Sequence, residues 1–206
     1  MGRRERRRER VRFALLEAAM VLFAEKGLHG ARVEDITDRA DLGKGAFYNY
    51  FDSKDALIGE LLRAGIDRLE RDYLAGIGEG GDLPSRIDAL ARSHDRFFEE
   101  HPEYVILFHQ VRGLLKLESN DQPRLRSIFA EYLDRVGARL APPGSMDAPG
   151  RAQRADIAAF IVGTIAGYRS YRLAAGAVPH TSTIARGLCL GVPALMEETS
   201  RRDAGH

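Results

Sequence analysis

The chain carries one cysteine, Cys189, among 206 residues, which excludes an internal disulfide framework and suits a reducing compartment. No apolar run reaches the ~18 residues that a membrane-spanning helix requires. The arginine-rich start leads into no signal-peptide apolar segment, because Glu17 and Glu25 punctuate the adjoining stretch. A cytoplasmic protein without a membrane association is expected. Strand alternation bounded by hairpin turns is missing as well. The six histidines offer no pair with cysteine or acidic ligands at zinc-like spacing, so no metal is expected. Serine and cysteine nucleophile motifs are also lacking, and no cofactor is implied. The glycine-rich run 76–81 comes after a helical pattern without the lysine and hydroxyl of a phosphate-binding loop, and reads as a linker. Glu99, Glu100 and Glu103 read as a solvated acidic patch at a helix end.

What the chain does have is 44% hydrophobic and 30% charged residues, the balance of a folded globular protein. Its net charge of +1 hides an asymmetry. Residues 1–51 hold eleven Lys and Arg against eight Asp and Glu; the remainder holds twenty against twenty-two. Seven of the eleven are arginines at positions 3, 4, 6, 7, 8, 10 and 12. A basic end on a near-neutral body points to a local anionic partner.

Helical periodicity dominates. Val11, Leu15, Ala18, Leu22 and Phe23 recur over 10–26, with Gly27 as a left-handed stop. Short helices are predicted over 33–40 and 44–50. The next starts at the N-cap Ser53, with Asp55 in its first turn, and carries a stripe through Leu57, Leu61, Gly65, Leu69 and Tyr73. Pro84, Tyr104 and Pro123 open three further helices. A loop over 142–150 separates these from helices predicted over 152–175 and 183–199, the latter kinked by Pro193. The predicted fold is all-α, with about nine helices.

The segment 36–51 reads as two short helices joined by a tight turn, the second entered through Lys44-Gly45 and closed by aromatics. Such a helix, held by a small apolar clasp, most commonly serves to enter the major groove of DNA. Phe23, Gly27, Val33, Ile36, Ala40, Leu42, Lys44, Gly45, Tyr48, Tyr50, Phe51, Lys54 and Leu57, in gap-free spacing, closely resemble the DNA-binding domain of the TetR family of bacterial repressors. Beyond Leu57 the resemblance is architectural. It implies a helix-turn-helix domain over 1–52, with the arginines as a flexible arm tracking the minor groove. Residues 53–206 would form an effector-binding and dimerisation domain. Arg32, Lys44, Gly45, Ala46, Tyr48, Asn49, Tyr50 and Lys54 are the candidate DNA contacts. Gly45 admits close backbone approach. Tyr48 and Tyr50 reach phosphates, and Asn49 suits a bidentate pair with adenine. In the family the lysine matching Lys54 contacts a phosphate. The chain departs from the family pattern at Ala31-Arg32, where hydroxyls are usual, at Asp41 in place of a turn glycine, and at Gly43 in place of a Ser/Thr cap.

The resemblance also implies a homodimer through the last two helices, a small-molecule effector and double-stranded DNA as partner. Small residues fit the dimer: Ala155, Ala159, Gly163, Gly167, Ser170 and Ala174 in one helix, Gly187, Gly191 and Ala194 in the next. Candidate effector-binding residues are His94, Phe97, Tyr104, Phe108, His109, Arg112, Phe129, Tyr132, Phe160 and Tyr168. Their apolar character suggests a hydrophobic or amphipathic effector with an acidic head, such as an acyl thioester. His94, His109 and Arg112 are the polar groups expected to point inward. The resulting expectation is a ligand-responsive repressor that reads a palindrome. The competing one is a helical enzyme or small-molecule carrier with no affinity for DNA.

Overall fold

The computed structural model describes residues 2–77, 80–117, 122–140, 150–177 and 180–203, of which 116–117, 151–152, 181 and 194–203 are described by backbone alone. Residues 142–149 of the loop predicted over 142–150, and Gly78 and Glu79 of the linker, lie outside them. The described residues form α1 (Arg3–Gly30), α2 (Val33–Arg39), the 3-10 turn η1 (Phe47–Asn49), α3 (Lys54–Asp72), α4 (Leu83–Glu100), α5 (Pro102–Leu117), α6 (Pro123–Leu140), α7 (Arg151–Ala174) and α8 (Thr181–Asp203). The fold is all-α, as expected. Among the described residues there are eight α-helices, not nine, because the helix predicted over 44–50 is a single short turn. Gly45 costs helix propensity, at ~1 kcal/mol, and Gly43 at the cap position supplies no side-chain oxygen.

A second correction concerns the arginines. They are not a flexible arm: α1 begins at Arg3 and runs on into the packed part of the helix. Arginine is a good helix former. Glu5 Oε2 accepts the Gly2 N–H at 3.0 Å and so closes the first turn.

The punctuation behaves as its chemistry dictates. Gly27 adopts φ +74° and turns the chain off the α1 axis; Asp41 accepts φ +55° in the turn after α2. Ser53 Oγ accepts the Ala56 N–H at 3.1 Å, capping α3. Asp82 Oδ1 accepts from Ser85 N at 2.9 Å ahead of α4. Pro102 and Pro123 occupy first helical positions, where a missing N–H costs nothing. Pro193 lies inside α8.

Two compact units emerge. The first comprises Met1–Gly65 with His101–Ile128, and the second Ile66–Glu100 with Phe129–His206. In the first, α1 packs on α2 and α5 around buried Leu15, Leu22, Phe23, Ile36, Phe47 and Val111. In the second, α4 packs on α7 and α8 around buried Leu90, Phe97, Tyr132, Ile161 and Leu188.

Within the first unit Gly65 of α3 lies under the Tyr104 ring, which a Cβ there would overlap. Gly65→Ala should therefore lower stability by about 1–3 kcal/mol, the usual cost of overpacking, despite alanine's better helix propensity. Gly113, which faces open space in α5, should instead gain up to ~1 kcal/mol on the same change. Equal shifts in denaturant midpoint for the two variants would rule out the close approach.

Candidate nucleic-acid interface

The N-terminal end of the first unit is held by short-range polar ties around an apolar kernel. Phe23, Ile36, Phe47 and Phe51 are buried, while Leu42 is half-buried. The Phe47 ring meets Phe51 at 5.6 Å and Tyr48 edge-on at 5.4 Å between centroids. These contacts turn the backbone at 47–51 so that neighbouring side chains face outward. Tyr48 is 63% exposed; Lys44, Gly45 and Asn49 are exposed, and Ala46 and Tyr50 half-buried. The turn itself is closed by Ala46 N to Gly43 O (2.8 Å), Tyr50 N to Phe47 O (2.9 Å) and Phe51 N to Phe47 O (3.0 Å). An aromatic hydroxyl, an amide and an ammonium thus stand out from a rigid base, the combination that phosphate and base-edge contacts need.

The helix beneath is fastened to α1. Lys26 pairs with Asp35 at 3.2 Å and Arg39 with Glu25 at 3.0 Å. The Asp35 carboxyl lies below the usual carboxylate range because it accepts the Arg32 N–H, at 3.0 Å, and then the Lys26 ammonium. Asp35 therefore ties the Arg32 N–H back to the first turn, while the Arg32 side chain makes no cap bond and is exposed. Lys54 Nζ donates to Leu28 O (2.7 Å) and Ala31 O (3.1 Å), so two of its three donors are used inside the head.

Two contributors escape a reading of the sequence. Gln110 of α5 clasps the bend in α1: its Nε2 donates to Phe23 O at 3.0 Å and its Oε1 accepts from Leu28 N at 3.1 Å. A glutamine beside the apolar Leu107, Val111 and Leu114 is the signal that could have found it. The second is a groove of about 600 Å³ in which Arg4, Arg7, Arg8 and Val11 of α1 meet Leu42, Ala46, Asn49 and Tyr50. Basic helix and outward turn line one concave surface.

Known proteins agree with this geometry. Residues 15–61 match the family described as bacterial regulatory proteins, tetR family. Over 134 residues the chain is 40% identical to the HTH-type transcriptional regulator Mb3439c of Mycobacterium bovis, covering 65% of this chain and 67% of that protein. The chain belongs to the TetR family. Its family is one of DNA-binding transcriptional regulators rather than enzymes. It is also 34% identical over 108 residues to the HTH-type transcriptional repressor KstR2 of Rhodococcus jostii, covering 52% of this chain and 53% of that protein. The match thus spans about half the length of that relative. The transcriptional regulator FadR from Bacillus subtilis, solved in complex with stearoyl-CoA, shares the fold at TM-score 0.65 and 16% identity, over 87% of this chain and 96% of that one.

In this TetR-family chain the predicted effector-binding residues are divided between the two units. His94, Phe97, Phe129, Tyr132, Phe160 and Tyr168 belong to the second; Tyr104, Phe108, His109 and Arg112 to the first. His94 and Tyr132 do come together, fully buried. His94 Nδ1–H donates to Leu90 O at 2.7 Å, so Nε2 accepts the Tyr132 hydroxyl proton. Phe97 packs edge-on against Tyr73 at 5.4 Å, and Tyr104 tilts against Phe108 at 6.0 Å. Tyr168 Oη accepts the His180 N–H at 3.2 Å. Phe160 is 47% exposed. His109 and Arg112 do not point inward; both are exposed, because their positions on α5 fall off the face of Leu107, Val111 and Leu114 that packs inside.

Burial holds the His94 imidazole down at about 4, so it stays neutral at physiological pH. An unfolded histidine titrates near 6.5 and takes up its proton first as pH falls. The unfolded state then binds more protons, and stability drops between about pH 6.5 and 4, by up to ~3 kcal/mol. His94→Gln, which keeps a polar group at the site, should flatten that slope. Thermal melts of both proteins across the window give the test; parallel curves would contradict the assignment.

Proposed function

We propose that this chain is a homodimeric, effector-responsive transcriptional repressor whose two copies of the turn at 43–51 enter successive major grooves of a palindromic operator. The carrying observation is the outward presentation of Tyr48 and Asn49 from a base buried by Phe47 and Phe51. Arg32, Lys44, Tyr50 and the remaining donor of Lys54 supply phosphate contacts, and Gly45 and Ala46 permit close approach. On this reading 1–52 carries the DNA contacts and 53–206 the effector and dimer contacts, and the protein works in the cytoplasm beside the chromosome. One short recognition segment reads too few bases for useful specificity, so two half-sites, about 34–36 Å apart, are required.

The dimer face proposed is the outer side of α7 and α8. Phe160 and Tyr171 flank Gly163 and Gly167 there, with Tyr171 80% exposed, and Leu190 of α8 is 75% exposed beside Gly187. Cβ atoms added at Gly163, Gly167, Gly187 and Gly191 would meet nothing, which leaves room for a second helix pair. Of the stripes read from sequence, the Ala194 side chain lies outside the described residues. The proposed effector is an acyl thioester, supported by the apolar lining candidates and by the stearoyl-CoA bound to FadR, which shares the fold. Because α3 runs from the first unit into the second, an effector that shifts it changes the half-site spacing. A coupling of about 1–3 kcal/mol suffices.

Selection of duplexes from a random pool, with and without long-chain acyl-CoA, tests both parts. A palindrome enriched only in the absence of acyl-CoA is the expected product. Enrichment of no duplex even at low salt would remove the repressor reading; an acyl-CoA-insensitive palindrome would remove the effector class alone.

A further inference from the structure

We infer that the arginine-rich start of α1 is a preformed helical face that grips the DNA backbone flanking the half-site, through Arg4, Arg7 and Arg8. This rests on the DNA-binding reading above and adds a second contact surface to it. Positions 4, 7, 8 and 11 fall on one side of a helix with 3.6 residues per turn, and they are the α1 residues that share a groove with Ala46, Asn49 and Tyr50. Arg3, Arg6 and Arg10 fall on another side, beside exposed Phe13. The two sets are therefore distinct in place, although alike in charge.

Three further observations point to a polyanion as the occupant. First, the ion pair described for this stretch belongs to Arg12, with Glu60 of α3; Arg4, Arg7 and Arg8 enter none among the described residues and are exposed. Second, the helix N-terminus carries partial positive charge, which arginines in the first turns aggravate rather than offset. The folded chain bears that repulsion, and phosphates alongside would relieve it. Third, Arg4 and Arg8 are one turn apart, about 6 Å along the axis, against ~3.4 Å of duplex axis per phosphate on one strand. Two arginines of the row can thus meet nearby phosphates of the strand that borders the groove holding Asn49. A flexible tail would instead spread its charge over whatever phosphates it reached, with no preference for one row.

The test compares two triple variants with the parent on the selected duplex, over a range of salt. Arg4→Gln/Arg7→Gln/Arg8→Gln should reduce the steepness of log K against log salt by up to about 5, from ~0.9 for each of three phosphates in two subunits. Hydroxyl-radical protection should disappear from the flanks while the preferred sequence stays unchanged. Arg3→Gln/Arg6→Gln/Arg10→Gln should leave both the slope and the protected flanks close to the parent's. All replaced side chains are exposed, and a shared melting temperature excludes unfolding as the cause. Equal slope changes in the two triples, or none in the first, overturn the inference while parental binding persists. Failure of the parent to bind any duplex overturns the underlying reading as well.

Discussion

Phe47→Ala is expected to abolish specific duplex binding, although the residue cannot touch DNA. Its ring is wholly buried and is the shared partner of Tyr48 and Phe51. Truncating a buried phenylalanine costs about 3–5 kcal/mol, and a small kernel has few other contacts to spread the loss over. A head only a few kcal/mol stable would then be largely unfolded. Affinity falls in proportion to the competent fraction. Hydrogen exchange of the 36–51 amides, measured beside duplex titration, separates this from a lost contact. Retained protection with lost binding would contradict the structural role given to Phe47.

Asp95→Ala should be nearly as severe, by a different route. Arg169 of α7 is buried, and its Nη1 donates to both the carboxylate and, at 3.2 Å, the main-chain carbonyl of Asp95 in α4. Its Nε is buried without an acceptor among the described residues. Removing the carboxylate leaves an uncompensated charge inside the second unit, at a cost of about 3–5 kcal/mol. The double change Asp95→Leu/Arg169→Met removes both charges and should recover most of that loss, since a buried pair adds little net stability over apolar packing. Denaturant midpoints of the single and double variants decide; a single variant within about 1 kcal/mol of the parent would show that water reaches the site.

Legibility in the sequence tracks how local each determinant is. Gly27, Asp41 and Ser53 act through their own backbone or a neighbour three residues away: Asp41 takes a positive φ and Ser53 caps α3, while Gly27, expected as a left-handed stop, takes φ +74° and ψ 167° and bends α1 instead of ending it. The kernel of Phe23, Ile36, Phe47 and Phe51 is equally readable, because its members are large apolar residues within one stretch of chain, 23–51. The arginine run misleads, since charge density suggests solvated coil while the helix depends on continuity with Val11 and Leu15 further along. Long-range partners are not readable at all. The amide of Gln110 beside apolar positions marks that residue as unusual, but the order of residues does not say that it joins α5 to α1, or that Lys54 closes the carbonyls at the end of α1. Periodicity marks His109 and Arg112 as neighbours on one face, but that face is the exposed one.

The proposed function requires Asn49 to read a base from an exposed turn in each of two copies. Repeating the duplex selection with Asn49→Ala addresses this directly. Preference should relax at one position in each half-site, symmetrically about the centre, with discrimination there weakened by about 1–3 kcal/mol and the remaining positions intact. An unaltered motif, or one that weakens evenly at every position, would show that the turn at 43–51 does not read sequence as described.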